Sequence, residues 1–194
     1  MDQVNLWHRE SPDDVNQFSS AESAKQFFEK VTLQHKTNYM LWHQEDLARD
    51  DEATDQQIAA VKRRIDQLNQ QRNNLIEELD EAILIELRSK NIKQSHDAAM
   101  NSETPGSVID RLSINALKIY HMHEESIRED AGAEHRRASF EKVEILNEQR
   151  RDLGNCLEVL MEDLIQGKKI LKVYRQLKMY NDPTLNPVLY KKNK

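Results

Sequence analysis

Apolar residues recur at steps of three and four in four long stretches of this chain, the spacing that lines one face of a helix. On the first stretch the apolar positions are Ala24, Phe27, Phe28 and Val31. On the second they are Ile58, Val61, Ile65, Leu68, Leu75 and Leu79, and on the fourth Phe140, Val143, Leu157, Met161 and Leu164. The pattern predicts an all-α protein, an antiparallel bundle of about four long helices. The first helix is expected from near Ser20, which can cap it, to Arg49, and the second from Asp55 to Lys90 with Thr54 as cap. Thr104-Pro105-Gly106 supplies a cap and a first-turn proline for a third helix over Pro105 to Asp130, broken by Gly132. A fourth is expected from Glu134 to Tyr180, bent near Gly154 or Gly167. Residues 91–104 lack periodicity and read as the longest internal loop. The domain reading is a polar arm over 1–20, a bundle over 21–180 and an irregular basic tail over 181–194, where Pro183 and Pro187 prevent a continuing helix.

Each stripe turns polar part of the way along. The first continues from Val31 to His35, Asn38, Trp42, Glu45 and Arg49, with His43 and Asp46 beside it. The second is interrupted by Arg72, seven residues after Ile65 and flanked by Asn69 and Asn73. The third carries Asp110, Ser113, Leu117, His121 and Glu124 on one face, with Arg111 adjacent, and the fourth has Asn147, Arg150 and Gly154 between its apolar residues. A hairpin about Gly132 sets Arg150 level with Leu112 and Ser113, and Gly154 would admit a close approach of backbone or ligand. A guanidinium inside a bundle needs carboxylate or hydroxyl partners, because unpaired burial costs several kcal/mol. Two readings follow. One is a polar interhelical pocket in which Arg72 and Arg150 hold a small anionic ligand, with His121, Glu45, Asp46 or Asp110 moving protons. The other is a non-catalytic scaffold or interaction module whose interior ion pairs only set helix register.

Composition narrows the choice. Only four glycines and four prolines occur among 194 residues, too few for turn-rich β-structure. The single cysteine, Cys156, excludes an intramolecular disulfide and suits a reducing, cytoplasmic setting. No secretory signal and no membrane span is legible, and a net charge of −6 argues against nucleic acid as a partner. The basic residues from Lys168 onward read as a solvated cationic end, and long helices of this kind are compatible with a homo-oligomer.

The polar interruptions coincide with recognisable segments. Leu41-Trp42-His43-Gln44-Glu45-Asp46 with Ala48-Arg49, then Arg72-Asn73 with Ile76-Glu77 and Asp80, resemble two signatures of a bacterial domain-of-unknown-function family, number 4254. Thr104-Pro105-Gly106 with Ile109-Asp110-Arg111-Leu112-Ser113 and Lys118-Ile119-Tyr120-His121-Met122 resembles its third, and Lys178-Met179-Tyr180-Asn181-Asp182-Pro183 with Asn186-Pro187 is similar to its ending. The resemblance extends over about Lys25 to Tyr190 and implies a compact helical bacterial protein, without implying an activity.

Other chemistries leave weaker traces. Di-metal carboxylate bundles need Glu-x-x-His on two helices. Here His43-x-x-Asp46 and His121-x-x-Glu124 run in reverse order, so a divalent metal on these four residues is not favoured. Glu77-Glu78-Leu79-Asp80-Glu81 fits the magnesium motif of all-α nucleotide pyrophosphohydrolases, whose second motif is missing between Glu81 and Asp110. That reading, a metal-dependent hydrolase, ranks third. Cys156 lies in mid-helix as a packed residue and not a nucleophile, and no phosphate-cradling glycine loop occurs.

Overall fold

The computed structural model describes residues 23–179 and 182–191. Helices α1 (Ser23–Leu47), α2 (Asp55–Ser89), α3 (Pro105–Ile127) and α4 (Ala133–Ile165) form the bundle, and α5 (Pro187–Tyr190) is a single turn in the tail. Strands β1 (Ala99–Met100) and β2 (Lys169–Ile170) pair in parallel. The expected start of the first helix at Ser20 lies outside the described residues. The other starts follow their caps: Thr54 with Gln57 and Thr104 with Ser107 each close a reciprocal capping box, and Pro105 occupies the first turn of α3.

Helix ends depart from expectation where glycine and backbone geometry intervene. The third helix stops at Ile127 because Arg128 is already extended, and Gly132 caps α4 instead of ending α3. The fourth helix stops at Ile165 instead of running to Tyr180. Gly167 takes φ +69°, Lys168 N–H donates to the Asp163 carbonyl at 2.8 Å and Gly167 N–H to Leu164 at 3.1 Å. These are the two bonds of a glycine-terminated helix end. The apolar residues beyond, Ile170, Leu171 and Val173, continue the helical spacing but lie in extended chain. Gly154 accommodates nothing close, since a Cβ there would meet no atom within 4 Å.

Contacts set the directions. Gln34, Asn38 and Trp42 of α1 meet Asp110 and His121 of α3 in ascending order, so those helices run parallel. Arg72 meets Asp110 and Asp80 meets Gly106, so α2 is antiparallel to α3; Asn115 donates to the Leu146 carbonyl (3.2 Å), so α4 is too. Helix α4 packs along α3 and reaches α2 near its C-terminal end, where Leu160 and Leu164 meet Ile83, Leu171 and Phe27. A second apolar cluster of Tyr39, Leu117, Met40, Trp42 and Tyr120 lies toward the other end. Burying each such side chain contributes roughly 1.5–3 kcal/mol. Between the clusters sits a polar layer in which Gln34 and Thr37 are as inaccessible as Leu68 and Leu79. Two members of the expected stripes fall outside the core: Phe28 is 69% exposed and Phe140 56%, with Ser139 buried in place of the latter. Among the described residues, no helix is long and apolar enough to cross a membrane.

At Gly167 a Cβ would lie 2.2 Å from the Lys93 carbonyl oxygen. Gly167→Ala therefore combines left-handed strain with a backbone clash and should cost roughly 2–4 kcal/mol. Urea denaturation reads the loss, and limited proteolysis should then cut first after Lys168–Lys178.

Candidate functional site

Two polar layers lie along the α1–α3 contact. In the central one, the Asp110 carboxylate (side chain 6% exposed) is gripped bidentately by Arg72, whose Nε lies 2.8 Å from Oδ1 and whose Nη2 reaches Oδ2. Gln34 and Asn38 amides also donate to Oδ1, the latter at 3.0 Å. Asn38 donates as well to Ser113 Oγ at 3.0 Å, which shares a 2.8 Å hydrogen bond with His35 Nδ1. Three helices thus meet on one carboxylate. Bonding to Asp110 strengthens the hold of Arg72 on its proton, and burial lowers the His35 pKa to about 4, so this imidazole is neutral at pH 7.

The second layer lies toward the C-terminal ends of α1 and α3. The His121 ring stacks on Trp42 with centroids 4.8 Å apart and planes 16° from parallel. His43 meets His121 edge-on at 5.7 Å and Tyr39 at 4.5 Å. One turn beyond each histidine is a carboxylate: Glu124 Oε2 is 3.2 Å from His121 Nδ1, and Asp46 Oδ2 is 3.8 Å from His43 Nδ1. An i,i+3 step on a helix places these groups side by side. The Glu124 hydrogen bond favours Nδ1–H on His121, whereas Asp46 stands at ion-pair distance from His43; the Nε2 atoms of both rings are buried. Burial and the nearby Glu124 charge push the Tyr39 phenol up.

Of the residues expected from the sequence, His35, Asn38, Arg72, Asp110 and Ser113 form the central layer, and Trp42, His43, Asp46, His121 and Glu124 the outer one. Arg150 does not join them. Its side chain is exposed on α4, whereas Arg72 is half-buried against Asp110, and the Asn115–Leu146 contact sets Arg150 nearer to the exposed Arg111 than to Ser113. Arg111 is exposed and pairs with Glu103 at 2.7 Å; Arg49 pairs with Glu45 at 3.2 Å. Asn69, Asn73 and Asn147 are half-buried to one side.

Sequence reasoning missed Gln34 and Tyr39. The four-residue step from Gln34 to Asn38 was the available signal for the first; the aromatic spacing Tyr39–His43 was the signal for the second. The Glu77–Glu81 acids diverge. Glu77 and Glu81 hold Arg175 (3.1 and 3.0 Å), Glu78 holds Lys30, and buried Asp80 accepts from Gly106 N–H at 2.6 Å. Burial pushes the Asp80 carboxyl up, against the pull of the Thr104 and Gly106 donors. Among the described residues, no three or more His, Cys, Asp or Glu side chains gather in a way that would hold a metal ion. Cys156 is exposed, not packed.

Removing one partner of the central pair leaves a buried charge alone. Arg72→Leu should cost roughly 3–5 kcal/mol, and adding Asp110→Leu should recover most of it, as read by a double-mutant cycle in urea. Stability also acquires a pH dependence. The unfolded chain takes up a proton on His35 below its ordinary value of 6.5, whereas the folded chain does so only near 4. Stability is therefore full above pH 6.5 and falls as pH drops toward 4. His35→Gln should flatten this slope.

No curated protein and no solved structure matches the chain. A protein family described as "Protein of unknown function (DUF4254)" matches residues 29–173, which contain every residue of both layers; the similar ending from Lys178 onward lies beyond the match. With three quarters of its length so matched, the chain belongs to the DUF4254 family.

Proposed function

We propose that this chain is a small-ligand protein with acid–base capability, centred on the imidazoles of His43 and His121. The observation that carries the reading is their convergence from two helices, each with a carboxylate at Nδ1 and with Trp42 stacked behind His121. A carboxylate beside Nδ1 orients an imidazole and leaves Nε2 as the nitrogen that takes or delivers a proton once a ligand reaches it. An imidazole that takes a proton from a ligand becomes the cation that holds the resulting anion. This is why the ligand class we favour is a small carboxylate or phosphate, or the acid that yields one. The role expected of the two arginines passes to the histidines. Arg72 serves instead to lock Asp110 and the registers of α1, α2 and α3, on which the outer layer depends.

A second reading, a non-catalytic interaction module, draws support from that same lock, since the central carboxylate is already supplied with four donor groups from the chain itself.

The test is a thermal-shift screen of small carboxylates and phosphate esters with the parent, His43→Gln and His121→Gln. The first reading expects a stabilising ligand whose apparent affinity falls at least about tenfold in either variant, a loss of roughly 1.4 kcal/mol. A ligand that binds both variants as well as the parent moves the site elsewhere. No shift with any ligand favours the interaction module.

A further inference from the structure

Past Gly167 the chain is extended, so successive side chains alternate between two sides. Leu171 takes the inner side, where it packs with Ile83, Leu160 and Leu164. Lys172 and Tyr174 line a cleft of about 370 Å³ together with Ile76 and Asp80 of α2 and with Met100 and Ser102 before α3. That volume falls within the roughly 300–1,000 Å³ of small-molecule sites. The cleft is not the imidazole layer. Ser107 on its margin stands roughly 20 Å from His121 along α3, at 1.5 Å per residue.

Most polar groups around this cleft are already committed. Asp80 accepts from Gly106 N–H at 2.6 Å, and the Thr104 and Ser107 hydroxyls close the capping box of α3. Glu77 is held by Arg175 at 3.1 Å and by Gln176 N–H at 2.9 Å. Lys172 differs from these. Its ammonium lies 5.0 Å from the centre of the Tyr174 ring, and no carboxylate among the described residues is within ion-pair distance of it. The charge left uncompensated in the cleft is therefore positive. Apolar surface accompanies it: Tyr174 is 63% exposed and Met100 56%, with Ile76 and Val173 half-buried.

We propose that this cleft is a second ligand site, taking a small organic monoanion whose apolar body lies against Tyr174 and Met100 while its carboxylate meets Lys172. A planar body gains from the Tyr174 ring, and the flexible Met100 side chain adapts to its outline. The lysine ammonium is a point charge on a flexible stem, so it selects the ligand's charge more than its shape. A dianion would set one ammonium against the neighbouring Asp80 and Glu77, which limits the ligand to a single charge.

Isothermal titration calorimetry of the full chain with phenylacetate tests this, beside phenethyl alcohol and phenethylamine, which are of similar size. The parent should bind the acid at least about tenfold more tightly than the alcohol, and Lys172→Met should abolish that preference. Ser102→Trp, which fills the cleft, should bind none of the three. Lys168→Met, which removes an equal charge outside the cleft, and His43→Gln should bind the acid as the parent does. Lys172 and Ser102 are both exposed, so the variants' melts by far-UV circular dichroism should coincide with the parent's. Equal affinity for acid and alcohol overturns the proposal, as does tighter binding of the amine, which would give the cleft to a cation. No binding of the acid at millimolar concentration overturns it, and so does binding unchanged in Lys172→Met and Ser102→Trp. Loss of binding in His43→Gln alone moves the acid to the imidazole layer and also overturns this site.

Discussion

The Asp110 carboxylate is the constraint around which the bundle is arranged. An ionised carboxylate taken from water is tolerated only if its oxygens are supplied with donors, and here the donors come from two other helices. Sliding α1 or α2 by one turn, about 5.4 Å, would withdraw Gln34 and Asn38 or Arg72 from reach. Apolar side chains alone are more forgiving of such a slip, since one leucine replaces another with modest loss. The polar layer therefore confers register on a core whose apolar clusters confer most of the stability.

That register has a consequence about one turn further along α1 and two to three turns further along α3. With Asn38 fixed to Asp110 and Ser113, the helical repeat brings Trp42 and His43 against His121. Carboxylates one turn beyond each histidine, Asp46 and Glu124, then lie 3.8 and 3.2 Å from the Nδ1 atoms. The arrangement separates duties between neighbouring layers: a central one whose charges are matched within the fold, and an outer one whose titratable groups converge. Neutral His35, held by burial and Ser113, belongs to the first kind.

The other end of the bundle is organised by backbone instead of side-chain charge. Gly106 lets Asp80 approach the start of α3 so closely that a Cβ would lie 2.8 Å from the carboxylate oxygen. Gly167 turns the chain out of α4 so that β2 can pair with β1 and the tail can lie on α2. Both glycines stand where a side chain has no room. The chain that Gly167 releases is basic, and its Arg175 is held by Glu77 and Glu81 of α2.

The sequence by itself determined the fold class, the four helices, and the starts of α2 and α3, because helical periodicity and cap chemistry are local properties. It also placed Arg72, Asn38, Asp110 and Ser113 among the interior polar residues, since each interrupts an otherwise apolar stripe. What it left undecided was set by tertiary structure. The spacing beyond Ile165 is helical, yet the chain is extended there, because Gly167 ends α4 against the Lys93 carbonyl and no local pattern records that contact. Arg150 has the same stripe position as an interior residue and is nevertheless exposed, because burial depends on which helices flank α4 at that height. Phe140 is solvated for the same reason. Periodicity states which residues share a face; only the packing of one helix on another decides whether that face meets protein or water.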